Sequence, residues 1–284
     1  MKWKLPNLEL PLDGRPLVMG ILNVTPDSFS DGGNWSDPEA AIARGMELVR
    51  QGADILDIGG ESTRPGAVPV DETAEAERIL PVVRELAGRA GVPISVDTRH
   101  AAVARAALAA GAAIINDVMP FAGDVKMAAA AREFGAGLVL MHSFGWMATA
   151  GKASAGRVTV DEVEFALREA VEFAVSSGIS RDSLTVDPGL GFGKDTASNL
   201  AILAALPRLA KLAPVLVGAS RKRFVGEVCR EPEAALRDGG SVAAALWAAR
   251  RGAKILRVHA VRETRQALEM AAALDAAGER LTDV

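Results

Sequence analysis

Cysteine is almost absent from this chain. Cys229 is the only one, so no disulfide can form within it, and a reducing cytoplasm is the expected setting. No apolar run approaches the length of a bilayer span, and the first residues, Met1-Lys-Trp-Lys-Leu-Pro6, contain no apolar signal core. Nothing therefore points to a membrane partner. An excess of positive charge is missing as well: the formal net charge is −4, whereas a nucleic-acid surface needs a concentrated basic face. Any anionic ligand has to be held by a few local groups. The glycine-rich stretch Asp187-Pro-Gly-Leu-Gly-Phe-Gly-Lys194 has neither the G-x-G-x-x-G spacing of dinucleotide sites nor that of a P-loop. Its glycines read instead as room for close backbone approach to a flat ligand, with Phe192 available to stack.

Apolar residues are plentiful, 49% of 284, enough to bury a large core in one big domain or two small ones. They come in short bursts. Leu17 to Leu22 breaks at Asn23 into a stretch crowded with Thr25, Pro26, Asp27, Ser28, Ser30 and Asp31, which reads as a buried strand emptying into a polar loop. Before it, residues 2 to 16 alternate loosely and predict a short N-terminal hairpin turning at Asp13-Gly14. After it, Ser36-Asp-Pro-Glu39 has capping-box spacing, and Ile42, Met46 and Val49 share a helical face up to Gly52.

The same strand, loop and helix then recur. Further strands are predicted at 54–58, 93–97, 112–116, 137–141, 184–186, 215–217 and 255–258, each followed by helical sequence. The second helix carries Ile79, Val82, Val83 and Leu86 on one stripe; a later one is capped by Thr159-Val-Asp-Glu162. Eight strand-helix pairs in 284 residues, against the usual (β/α)8 size of about 250, fit a closed TIM barrel, in the α/β class, better than an open doubly wound sheet.

Polar groups gather at the C-terminal tips of these strands: Asn23; Asp57 with Glu61, Thr63 and Arg64; Asp97; Asn116 with Asp117; His142; Asp187; Ser220 with Arg221 and Lys222; Arg257 with His259. In a barrel those tips converge on one face and line a single bowl. Asp97, Asn116 and Asp187 supply acceptors and one amide that both donates and accepts, which suits a flat heterocycle with amino, N–H and carbonyl edges. Arg257 and His259, two apart on a strand, point the same way and with Asn23 and Arg64 form a candidate anion corner. The competing reading is a structural ion network in which Asp57, Asp97 and Asp187 pair with Lys222 and Arg257.

Five segments together resemble dihydropteroate synthase: Met19-Gly-Ile-Leu-Asn-Val-Thr-Pro-Asp-Ser-Phe-Ser-Asp-Gly-Gly33, Asp57-Ile-Gly-Gly-Glu-Ser-Thr-Arg-Pro-Gly66, Asp187-Pro-Gly-Leu-Gly-Phe-Gly-Lys194, Ser220-Arg-Lys222 and Arg257-Val-His259. The likeness runs from about residue 16 to about residue 270 in order. It implies one barrel domain over residues 1–284, a homodimer, and a folate-pathway enzyme blocked by sulfonamides. The implied reaction joins 6-hydroxymethyl-7,8-dihydropterin pyrophosphate to p-aminobenzoate with loss of pyrophosphate. Carried onto this sequence, the resemblance puts Asp97, Asn116, Asp187 and Lys222 on the pterin edge, with Met141 and Phe192 near its faces. It puts Asn23, Arg257 and His259 at the pyrophosphate, Asn23 beside a magnesium ion (Mg2+). Phe29, Thr63, Arg64 and Pro65 would close over the p-aminobenzoate pocket, and Ser220 and Arg223 are further substrate-binding candidates. Arg257 is expected to serve turnover far more than stability.

Three positions depart from the family pattern. Ser143-Phe-Gly-Trp-Met147 replaces a more usual residue pair and Gly-Thr-Pro after His142; Arg223 stands where a serine is common; Ala260 replaces a frequent Asp. Two alternatives share part of the pattern: a barrel that transfers methyl groups from methyltetrahydrofolate to a corrinoid, and a non-catalytic pterin-binding relative. The first would keep Asp97, Asn116 and Asp187 without needing the Asn23 loop or the Arg257 and His259 pair.

Overall fold

A computed structural model describes residues 1–25, 38–61, 70–119, 126–143 and 156–282. Phe29, Thr63, Arg64, Pro65 and most of the unusual segment after His142 lie outside the described residues.

The eight apolar bursts form eight parallel strands: β3 Leu17–Asn23, β4 Ile55–Gly59, β5 Ile94–Asp97, β6 Ile114–Asp117, β7 Gly137–Met141, β8 Leu184–Asp187, β9 Leu216–Val217 and β10 Ile255–Val258. They pair in the order β8-β7-β6-β5-β4-β3-β10-β9. A parallel bridge between Val186 and Val215, with Val186 N–H donating to Pro214 O at 2.9 Å, joins the two ends and closes the barrel. Consecutive strands are separated by helices, the first three being α1 Pro38–Arg50, α2 Glu72–Arg89 and α3 Ala101–Ala109. This is the (β/α)8 architecture that the strand-helix alternation predicts.

The expected stripe is found on α2, and that of α1 is displaced by one position. On α2, Ile79, Val82, Val83 and Leu86 are all buried. In the capping box before Val160–Ser176, the Thr159 side chain and Glu162 side chain each accept from the other's backbone N–H. On α1 the most buried residues are Ala41, Gly45 and Leu48, with Ile42, Met46 and Val49 flanking them. The shift follows from Gly45: a Cβ there would lie 2.7 Å from Leu86 Cδ1 and 3.2 Å from Leu22 Cδ2, so the small residue takes the face nearest the barrel.

The N-terminal hairpin is present, but its turn is at Pro6-Asn7, between β1 Lys2–Leu5 and β2 Leu8–Pro11. Asp13-Gly14 instead links the hairpin to β3. Proline and asparagine are as good a turn signal as Asp-Gly, and only the Trp3↔Leu10 register decides between them. The hairpin plugs the barrel floor. Trp3, Leu5, Leu10 and Leu12 pack with Leu17, Met19, Ile55, Ile114, Val139, Leu216 and Ile255, and Trp3 Nε1 donates to Ser183 O at 2.9 Å.

Candidate active site

That floor cluster identifies the inward face of each strand. Counting up by two, the period of a strand, Ile55 leads to Asp57, Ile114 to Asn116, Val139 to Met141, and Ile255 to Arg257 and then His259. Met19 leads likewise to Ile21 and Asn23, and Leu216 to Gly218 and Ser220. Register alignment adds Asp97 beside Asn116 and Asp187 beside Met141. Below, the inside of the barrel is apolar; above, it is charged.

Four of these residues are bonded into one network. Arg257 Nε donates to Asp57 Oδ2 at 2.6 Å and Nη2 to Asp97 Oδ2 at 2.7 Å, while Asn116 Nδ2 donates to the same Asp57 oxygen at 3.2 Å. Opposite them, Asp187 Oδ1 accepts from Gly189 N–H at 2.7 Å. Lys222 Nζ donates to Leu190 O at 2.5 Å and lies 4.5 Å from the centre of the Phe192 ring, a cation-π contact. A Cβ on Gly218 would be 3.8 Å from both Arg257 Cβ and Lys222 Nζ, so the two cations share a wall.

Burial dominates the titration of this bowl. It pushes the Asp97 carboxyl up to about 7, with Asp57 adding repulsion and Arg257 opposing. It also raises Asp187 against the pull of Lys222. Lys222 falls to about 8 for the same reason. Burial works against the Arg257 charge too, but Asp57 and Asp97 outweigh it and keep the guanidinium protonated.

Residues 19–259 match the family model described as pterin binding enzyme. The chain belongs to the pterin-binding enzyme family. It is 45% identical over 277 residues to a dihydropteroate synthase from Mycobacterium leprae, an alignment covering 94% of this chain and 96% of that protein. Among solved structures it resembles Xanthomonas albilineans dihydropteroate synthase with 4-aminobenzoic acid, at TM-score 0.90 and 47% identity over 97% of this chain and 98% of the other. The same enzyme in complex with 7,8-dihydropteroate superposes at TM-score 0.88 with 44% identity, covering 97% and 99%.

Within this pterin-binding enzyme, Asp97, Asn116, Met141, Asp187, Phe192, Lys222 and Arg257 come together at the strand tips. Asn23 sits partly exposed at the end of β3, level with Gly59. His259 is held from below: Ser220 Oγ accepts from His259 N–H at 3.2 Å and lies 2.9 Å from Nδ1. Ser220 is thus buried behind the histidine. The other cations of the Ser220-Arg-Lys-Arg223 run turn away. Arg221 makes a two-pronged pair with Asp238 at 2.7 Å, and Arg223 is exposed on Arg223–Cys229, paired with Glu227 at 2.7 Å.

The glycine-rich loop after β8 makes its closest approaches to the protein itself. Gly189 has φ 64, and a Cβ there would fall 1.8 Å from His142 O; one on Gly191 would meet Lys222 Cδ at 2.9 Å. Lys194, the last residue of that stretch, binds the loop together. Its buried Nζ donates to Gly189 O at 2.7 Å, His142 O at 3.1 Å and Phe192 O at 3.3 Å. Three acceptors match the three N–H of an ammonium, although burial lowers this lysine to about 7. His142 itself is held neutral, its pKa lowered to about 4 chiefly by burial.

Proposed function

We propose that this chain catalyses the dihydropteroate synthase reaction of folate biosynthesis: 6-hydroxymethyl-7,8-dihydropterin pyrophosphate and p-aminobenzoate give 7,8-dihydropteroate and pyrophosphate. The observation that carries the reading is the ring of Asp97, Asn116, Asp187 and Lys222 around one bowl, in a chain this similar to proteins of that name. Three acceptors and one cationic donor are the complement of a pterin edge, which offers an amino group, a ring N–H and a carbonyl. Met141 and Phe192 flank that edge, and Lys222 is drawn to the Phe192 face already.

Cleavage of the methylene C–O bond sends its electron pair to pyrophosphate and leaves positive character on the pterin methylene. Arg257 and His259 stabilise the departing anion; the guanidinium has five N–H donors and the two bonds to Asp57 and Asp97 use two of them. The arylamine then forms the C–N bond and sheds a proton. Positioning of this kind supplies about 7 to 11 kcal/mol in favourable cases, so no protein nucleophile is needed. Phe29, Thr63, Arg64 and Pro65 are assigned to the p-aminobenzoate side, with Ser220 setting the His259 ring. Arg223 would reach substrate only by leaving Glu227.

Magnesium fits the donors available. Among the described residues no group of three His, Cys, Asp or Glu could cage a metal, and the Asn23 amide oxygen is the kind of single hard ligand that a phosphate-bound Mg2+ takes. Bound there, Mg2+ would neutralise the leaving diphosphate. A homodimer is supported by exposed Trp247, Met270 and Leu274 on Asp238–Arg250 and Val261–Thr282, apolar surface that a second copy would cover. A cytoplasmic setting is supported by the lone, unpaired Cys229.

Incubating the protein with the pterin pyrophosphate, p-aminobenzoate and magnesium should yield dihydropteroate. Binding without product would favour the non-catalytic alternative, and no pterin binding would end the reading. The bowl also has a pH signature. Asp97 must be ionised to accept from the ring and Lys222 protonated to donate, so pterin affinity should peak between about 7 and about 8 and fall on either side. Calorimetric titration across pH checks it. In Lys222→Met the alkaline limb should vanish; its survival would assign that limb to the ligand rather than the lysine.

A further inference from the structure

Asp57 is the most buried charged residue of the bowl, wholly excluded from solvent, yet the reaction as derived above gives it nothing to do. It lies level with Ile21 and Ser95, one inward step beneath Gly59, which is level with Asp97. A group there is under the ligand floor rather than on it. Its Oδ2 nevertheless accepts from two residues that are on it, Arg257 through Nε and Asn116 through Nδ2.

Each contact has a consequence that depends on chemistry alone. A carboxylate only accepts, so it turns the NH2 of Asn116 towards itself and the amide oxygen the other way. That oxygen, Asn116 Oδ1, is buried with no hydrogen-bond partner among the described residues. An unpaired buried acceptor is costly, and a ligand N–H arriving there removes the cost. For Arg257, Nε is the one N–H fixed to the stem. Held there, the guanidinium keeps its place while its Nη2, now on Asp97, can be exchanged. Asp97 is level with Asn116 and is only partly buried, so it is the carboxylate that a ligand reaches.

We propose that Asp57 is a positioning residue for the heterocycle, fixing the Asn116 amide with its oxygen towards the bowl and anchoring Arg257 by Nε, so that Asp97 alone changes partner when the ring enters. The inference rests on the pterin reading above and deepens it. Asp57 sets which of donor or acceptor Asn116 shows to the ligand, without touching the ligand.

The test is discrimination between two rings. Pterin carries an amino group where lumazine carries a carbonyl, a donor exchanged for an acceptor. Calorimetry with both rings on the wild type and on Asp57→Asn should show pterin affinity falling roughly 10- to 100-fold in the variant, the size expected for a charged hydrogen bond. The pterin-over-lumazine ratio should fall by about 10-fold or more, because the freed Asn116 amide can rotate. A merely structural defect lowers both affinities together and leaves the ratio alone, and that result would overturn the proposal. Adding Asn116→Ser to Asp57→Asn should produce no further loss of the ratio; a full additional loss would show that Asp57 does not act through Asn116. A crystal structure of the wild type with pterin keeps the idea exposed should the variant fail to fold. Arg257 Nε should still be on Asp57 with Nη2 off Asp97, and Asn116 Oδ1 should face a ligand N–H; Arg257 detached from Asp57 would refute it. Failure of the wild type to bind pterin would instead remove the functional reading itself, and this inference with it.

Discussion

Arg257→Ala is expected to slow turnover about 100- to 1,000-fold, the usual cost of deleting one donor from a developing anion, and also to destabilise the fold. The second effect departs from what the sequence alone implies. The resemblance implies that Arg257 serves turnover far more than stability, but its guanidinium neutralises both Asp57 and Asp97, so the stability loss is not small. Removing one partner of a buried ion pair costs about 3–5 kcal/mol, less here because Asp97 readily takes a proton. That relief gives the loss a pH dependence. Asp97 holds its proton to about 7 when folded against 3.8 as the ordinary value, so the folded form binds more protons in that window. Stability therefore falls as pH rises from about 4 towards about 7, and without Arg257 the fall should be steeper. Steady-state kinetics beside urea unfolding at two pH values reads both quantities. Wild-type turnover in the variant would sink the anion role, and unchanged stability would mean that the two carboxylates do not depend on the arginine.

Trp3→Ala should act at the other end of the barrel and in the opposite sense, lowering stability by about 3–5 kcal/mol while turnover in the folded fraction stays within about twofold. Trp3 is completely buried, and with Leu5 it fills the space left by Gly137, where a Cβ would lie 2.4 Å from Leu5 Cδ2 and 3.2 Å from Trp3 Cε2. Its indole N–H would also leave Ser183 O without a donor. The strand tips are remote from this floor, so the chemistry is insulated from it. Denaturant melts of the variant, with rates normalised to folded protein, decide the matter. A loss under about 1 kcal/mol would mean that the hairpin is not a plug, and a rate falling with stability would mean that the floor and the bowl are coupled.

The architecture was readable because each barrel strand is a short apolar run with a polar residue at or just beyond its C-terminal end. Runs such as Leu17 to Leu22 and Gly137 to Met141 announce themselves. The bowl followed for the same reason, since the tip residues Asp97, Asn116, Asp187 and Arg257 stand where an inward face changes from apolar to charged. What was illegible depends on register or side-chain direction. The hairpin turn lay at Pro6-Asn7 rather than Asp13-Gly14, because both dipeptides favour turns and only pairing chooses. Asp57 was seen at a strand tip, but its depth under Asn116 needs the β4 register. Of the three consecutive cations from Arg221 to Arg223 only Lys222 points inward; Arg221 adopts φ 60, and its turn towards Asp238 separates them. Lys194 could have been suspected, since a lysine closing a glycine-rich loop has many carbonyls within reach.

The shortness of β9 bears on how the hoop of strands holds together. Leu216 and Val217 pair with β10, and towards β8 a single bridge at Val186 carries the join, so the circle has one thin stave. Asp187 stands on one side of that gap and Lys222 on the other, already reaching across it to Leu190 O. A ring gripped by both would rivet the circle shut from above. A bound ring would thus tie together the two strands that share the fewest backbone bonds, and its release would undo that tie.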